Sequence, residues 1–186
     1  MAVTTQLLRR FPILSVLPDD SVSQLANQST LREFARRGMV LSAGERNGSA
    51  CFLFDGRLQG IDFTLDGREV GLYFVEPGDF CGELALFDQG EQPEHVMALT
   101  RSLVVFVPIL ALRNVMFDSR AMLESLCERV AGRVRLMSAQ RGLLGLPNIG
   151  QRVCGQLWML ISEQDKRTQH DIAIRNPPTH QEIAIM

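Results

Sequence analysis

The chain has 186 residues, a mass of 20.8 kDa, 46% apolar residues and a net charge of −2. That length allows one large domain or two small ones, and that apolar share supports a real core, which excludes an intrinsically disordered protein. No run of about 18 apolar residues occurs, and residues 1–12 carry Arg9 and Arg10 without an apolar centre, so neither a spanning helix nor a signal peptide is expected and the chain reads as cytoplasmic.

Between residues 35 and 107, short apolar runs alternate with the turn signals Asp55-Gly56, Asp66-Gly67, Pro77-Gly78-Asp79 and Gly90. Asp-Gly between apolar runs favours a tight hairpin, so strands are predicted at 51–54, 58–65, 70–75 and 96–107. Strands at this spacing indicate a sandwich or barrel. Pro108 suits the first turn of a helix, and Ile109, Leu112, Val115 and Met116 follow at helical spacing. Asp118 or Ser119 then caps a longer helix in which Leu123, Cys127, Val130, Val134, Met137 and Leu144 recur at spacings of four and three, with Arg141 at the remaining position. Such a stripe is either a coiled-coil seam or the face of a helix packed on its own domain. Gly142, Gly145 and Pro147 mark a hinge. After it, 151–162 is helix-periodic, 165–170 is a polar loop and 171–175 alternates as a short strand. Thr179-x-x-Glu182 is a capping box that opens a further helix.

The small net charge hides an asymmetry. Residues 55–95 hold ten acids against Arg57 and Arg68, a balance of −8, whereas residues 129–152 hold Arg129, Arg133, Arg135, Arg141 and Arg152 and no acid. A polyanion prefers the second region, although a solvated helix face gives the same run. The four cysteines, Cys51, Cys81, Cys127 and Cys154, include no C-x-x-C pair. They argue against a zinc ribbon or clustered iron–sulfur site and read as small buried hydrophobes.

The most specific stretch is Glu76-Pro77-Gly78-Asp79-Phe80-Cys81-Gly82-Glu83-Leu84-Ala85-Leu86-Phe87. Its Pro-Gly-Asp forms a tight turn, and Gly82-Glu83-Leu84-Ala85 sets small residues and a carboxylate where backbone N–H groups can approach a ligand; a capped short helix would give the same pattern. The flanks are Ala43-Gly44-Glu45, Phe52-Leu53-Phe54-Asp55-Gly56, Asp66-Gly67-Arg68-Glu69 and Ala98-Leu99-Thr100. In this order and spacing the whole resembles the cyclic nucleotide-binding jelly roll of the catabolite activator/FNR (CRP/FNR) family of bacterial transcription regulators. The likeness continues through 118–145, similar to the family's dimerisation helix. It extends to Thr179-His180-Gln181-Glu182-Ile183, similar to the first helix of its winged helix-turn-helix.

The resemblance implies an α+β chain: an N-terminal β jelly roll that senses an effector (1–117), a long dimerisation helix (118–145) and part of a C-terminal winged helix-turn-helix (146–186). It implies that Gly82 and Glu83 hold a ribose hydroxyl, that Leu84 and Ala85 line a phosphate cradle, and that Pro93 and Glu94 stand beside the phosphate. Leu136 and Met137 would lie near the effector base and the partner subunit. Thr179 and Gln181 would touch DNA phosphates, and Arg152 of the basic region is a further candidate DNA contact. The implied partners are double-stranded DNA, a second copy of the chain and RNA polymerase, with no membrane. The reading helix of such a domain would follow the one at Thr179, beyond the 186 residues, so the reader is expected to be incomplete here.

The sequence departs from the family at one telling place. Members that bind cyclic AMP carry an Arg-Ser pair about a dozen residues after the Gly-Glu; here Gln92-Pro93-Glu94 stands there, and no arginine occurs between Arg68 and Arg101. A charge-assisted hydrogen bond is worth about 1.5–3 kcal/mol. A carboxylate about 5 Å from a phosphate, at an effective dielectric of about 20, costs about 3 kcal/mol. Half their sum weakens binding by about tenfold to a hundredfold or more. Cyclic AMP is therefore not expected as the effector, and no other cofactor or metal is expected. A less anionic effector, activity without effector, and a vestigial pocket regulated otherwise all remain open. Residues 1–50 hold no cysteine for an iron–sulfur sensor, and His95, the one histidine in the roll, reads as a surface residue and not a haem ligand. Catalysis is not expected, because a metal jelly roll needs several histidines and no G-x-S-x-G, P-loop or H-E-x-x-H pattern occurs. The alternative is a jelly-roll ligand-binding or protein-interaction module without DNA binding.

Overall fold

The computed structural model describes residues 2–161, 174 and 177–185. They fall into two units, Met1–Cys127 and Glu128–Met186. The first begins with three short helices, α1 (Thr5–Leu8), α2 (Pro12–Ser15) and α3 (Asp19–Gln28). Thr4 caps α1 by accepting from the Leu7 N–H, Pro12 opens α2, and Asp19 and Asp20 set negative charge at the start of α3. Arg9 ties them together, donating to the carbonyls of Ser15 and Leu17 and pairing with Asp19.

Eight antiparallel strands follow among the described residues. One sheet runs in the order β1 (Thr30–Phe34), β8 (Ser102–Pro108), β3 (Ser49–Asp55), β6 (Phe80–Cys81). The other runs β2 (Met39–Leu41), β7 (His95–Ala98), β4 (Leu58–Phe63), β5 (Glu69–Val75). Because side chains alternate along a strand, the first sheet serves two cores at once. Cys51, Leu53, Val104, Phe106 and Cys81 meet Leu58, Val75, Val96 and Ala98 of the second sheet inside the roll. Ala50, Phe52, Phe80, Val105 and Val107 turn the other way, onto α1–α3 and onto α5 (Ile109–Asp118). Phe52 centres that outer core, edge-on to Phe11 at 5.1 Å and stacked on Phe80 at 4.9 Å. Burial on both faces explains why β3 and β8 read as continuous apolar runs.

Two sequence expectations need correction. Asp55-Gly56 does not close a hairpin, since β3 and β4 lie in different sheets; only the Asp66-Gly67 turn joins paired strands, β4 and β5. The predicted strand 96–107 is two strands in different sheets. The chain changes sheet at residues 99–101, where Leu99 N–H bonds to Arg57 O at 2.8 Å and the Ser102 hydroxyl donates to Thr100 O at 2.9 Å. Apolar content is the same on both sides of the break, so composition hides it. The helices α1–α3 and the strands β1, β2 and β6 were not anticipated; they are short and lack Asp-Gly punctuation.

α6 (Arg120–Leu144) starts in the first unit, where Met122 and Leu126 seal the outer core, and continues into the second. The Ser119 hydroxyl accepts from Met122 N–H at its start. α7 (Ile149–Met159) begins two residues before the predicted 151, because Asn148 caps it through Gly150 N–H. Leu143 lies so close to Gly155 that a Cβ there would come within 2.4 Å, which fixes how the end of α6 packs on α7. α8 (His180–Ala184) carries the full capping box: Thr179 Oγ1 accepts from Glu182 N–H at 3.3 Å and Glu182 Oε2 from Thr179 N–H at 2.7 Å. The polar loop at 165–170 and, but for Ile174, the strand at 171–175 lie outside the described residues.

Candidate effector site

The motif at 76–87 forms a turn held against β3. Gly78 N–H bonds to Leu53 O and Leu53 N–H to Asp79 O, each at 2.9 Å. Gly78 at φ +92° and Gly82 at φ +80° take the left-handed conformation that glycine tolerates best. At Gly82 a Cβ would also press on Leu41 Cδ1 at 3.2 Å. Glu83 is wholly buried, and Leu84 and Ala85 are half-buried. A one-turn helix, α4 (Ala85–Asp88), follows without a capping side chain. Its last carbonyls are taken by Arg113 of α5, which donates to Leu86 O at 2.7 Å and Phe87 O at 3.2 Å.

The segment after α4 is fastened on two sides. Toward residues 43–45, Gly44 N–H bonds to Gln92 O and Gln92 N–H to Glu45 O, both at 2.8 Å, while His95 Nδ1 accepts from Ala43 N–H at 3.2 Å. Toward β5, Glu94 Oε1 accepts from the Tyr73 hydroxyl. Pro93 is exposed, whereas Glu94 is only 7% exposed. His95, expected at the surface, is half-buried and lies edge-on to Phe63 at 5.4 Å, because it opens β7 and does not sit in a loop.

Acids near the site meet cations at separate places. Arg57 pairs with Glu76 Oε1 at 2.7 Å and lies over the Phe74 ring at 4.2 Å. Arg37 pairs with Glu69, and Arg68 with Asp66 at 2.8 Å. Farther along, the Arg101 hydrogen bond holds the Glu33 carboxyl below the usual carboxylate range, and Glu33 in turn raises Arg101. Among the described residues no group of three or more His, Cys, Asp or Glu is placed to hold a metal ion.

The remaining expected site residues belong to the second unit. Leu136 is half-buried and Met137 exposed on α6, and Arg152 is exposed on α7. Thr179 caps α8; the side chain of Gln181 lies outside the described residues. Of the cysteines, Cys51 and Cys81 are buried, but Cys127 and Cys154 are exposed, since they fall on outward faces of α6 and α7. Sequence reasoning missed Tyr73 and Gly60. A lone glycine inside an apolar strand run was the available signal, because it marks a place where something approaches the backbone closely.

Residues 31–119 match the family model "Cyclic nucleotide-binding domain". The chain is 25% identical over 179 residues to the CRP-like cAMP-activated global transcriptional regulator of Mycobacterium tuberculosis, covering 96% of this chain and 80% of that one. Among solved structures, it resembles the regulatory subunit of a cAMP-independent protein kinase A from Trypanosoma brucei with a TM-score of 0.61 at 21% identity, over 74% of this chain and 49% of that one. It also resembles the Thermus thermophilus catabolite activator protein with a TM-score of 0.60 at 19% identity, over 72% of this chain and 62% of that one. It thus spans four fifths of the regulator but under two thirds of either structural neighbour.

Proposed function

We propose that this chain is a member of the CRP/FNR family of regulators built on a cyclic nucleotide-binding domain and acts as a homodimeric, cytoplasmic, DNA-binding transcription regulator whose effector is not cyclic AMP. The observation that carries the effector half of this reading is Glu94. A buried carboxylate stands in the segment where cyclic AMP binders of the family present an arginine, and an anion placed there meets repulsion in a poorly solvated site. In this reading Gly82, Glu83, Leu84 and Ala85 form the cradle, Pro93 and Glu94 its far wall, and Leu136 and Met137 the helix side. Residues 1–117 sense, 118–145 dimerise and 146–186 begin a winged helix-turn-helix in which Arg152, Thr179 and Gln181 face DNA.

The dimer is supported by α6. Met122 and Leu126 are spent on the chain's own core, whereas Val134 (61% exposed), Met137 (64%) and Leu144 (72%), on the predicted seam, are uncovered. Allostery would run from the sensor through this helix to the DNA-contacting part, where RNA polymerase is a further partner. No helix among the described residues is long and apolar enough to cross a membrane.

Calorimetric titration with cyclic AMP, cyclic GMP and cyclic di-GMP tests the effector. No dissociation constant for cyclic AMP below about 100 μM is expected, and a micromolar value would overturn the reading. DNA binding is tested with the reading helix present. Affinity for a two-half-site duplex should fall steeply between about 50 and 300 mM salt, and a flat response would count against it.

A further inference from the structure

We propose that Tyr73 and Glu94 form an internal latch, in which the chain's own phenol fills the inner wall of the roll and holds the 90–95 segment closed without a diffusible effector. Tyr73 stands opposite Gly60 in the β4–β5 register and packs against the cluster between the sheets. Its ring occupies the space that a side chain at Gly60 would need: a Cβ there would sit 2.4 Å from Cε1, 2.5 Å from Cζ and 2.9 Å from Cδ1. Glycine at this position is therefore the seat of the ring. From that seat the hydroxyl reaches Glu94 and donates to its buried carboxylate.

The chemistry of the pair explains why it stays closed. A carboxylate taken out of water needs strong donors, and a phenol O–H aimed at it supplies one. The backbone bonds from Gln92 to Gly44 and Glu45, with the His95 bond to Ala43, hold the carboxylate in place from the other side. An incoming phosphate would have to displace a seated aromatic ring and then lie against the negative charge that ring was satisfying. The inference rests on the proposed reading in one respect, that the 90–95 segment is the one that would otherwise hold a ligand's phosphate.

A double-mutant cycle on the unliganded 186-residue chain reads the latch directly. Tyr73→Phe removes the donor and should lower the melting temperature by about 3–8 °C. Adding Glu94→Met removes the carboxylate as well and should restore at least half of that loss, since replacing both partners by apolar groups leaves no acceptor stranded. Losses that simply add, or a Tyr73→Phe variant that melts like the parent, would overturn the latch. A second measurement titrates cyclic AMP into Pro93→Arg alone and into Pro93→Arg with Tyr73→Ser. The arginine should yield binding at least about tenfold tighter when the ring is gone, and micromolar binding with Tyr73 intact would overturn the proposal. The cycle uses neither ligand nor DNA. Additive losses would sink the latch and leave the proposed function standing, whereas micromolar cyclic AMP binding by the unmodified chain would sink the proposed function whatever the cycle gives.

Discussion

Gly56, at φ +95°, has Ser102 Oγ 2.4 Å and Arg101 O 2.6 Å from where a Cβ would stand. Gly56→Ala combines backbone strain with overlap against main chain, and urea unfolding should register a loss of about 2–4 kcal/mol; a loss under about 0.5 kcal/mol would show that the corner relaxes. Phe52→Ala, which empties the centre of the outer core, should lose about 3–5 kcal/mol in the same assay. At the surface, Glu33 is held below its ordinary range by Arg101, so the folded state binds this proton less readily than the unfolded chain. Its contribution is present above about pH 4.3 and fades as pH falls through the lowered value. Glu33→Gln should therefore shrink the drop in melting temperature between about pH 5 and pH 3, and an unchanged drop would show that the pair adds nothing. At this scale the turn that carries Gly82 and Glu83 was legible, because a glycine-carboxylate pair after Pro-Gly-Asp is a local pattern. Tyr73 was not, because its partner lies 21 positions away and only strand register brings the two together.

Among the elements, α6 is the one whose periodicity marks an exposed apolar stripe. The stripe through Val134 and Met137 was readable from spacings of four and three, and those side chains are open to solvent in the single chain. If the proposed dimer forms through this stripe, Val134→Glu combined with Met137→Glu should convert it to a monomer in analytical ultracentrifugation, while Glu124→Gln, in an exposed pair with Arg120, should leave the mass unchanged. A double glutamate variant that sediments like the parent would overturn the assignment of this stripe as a dimer seam. The strands were legible as apolar runs, but not their pairing. Asp-Gly is only a local turn signal, and whether two strands share a sheet is decided by which core each face enters. Phe52 enters the outer core and Leu58 the inner one, so their strands part company at Gly56.

At the scale of the whole molecule, the split in charge is the feature that composition alone revealed and net charge concealed. If Arg152 touches a phosphate, Arg152→Gln should lower the slope of log affinity against log salt by about one while weakening all duplexes alike; an unchanged slope would remove this residue from the DNA face. Gly142, Gly145 and Pro147 predict a border at the end of α6. The border by packing falls earlier, between Cys127 and Glu128, within an unbroken helix. Anyone excising a sensor fragment therefore has no loop to cut at that border. A fragment ending at residue 117 would uncork the outer core by discarding Met122 and Leu126, and one ending at 127 would leave a frayed stub, so the natural place for the scissors is after Leu144.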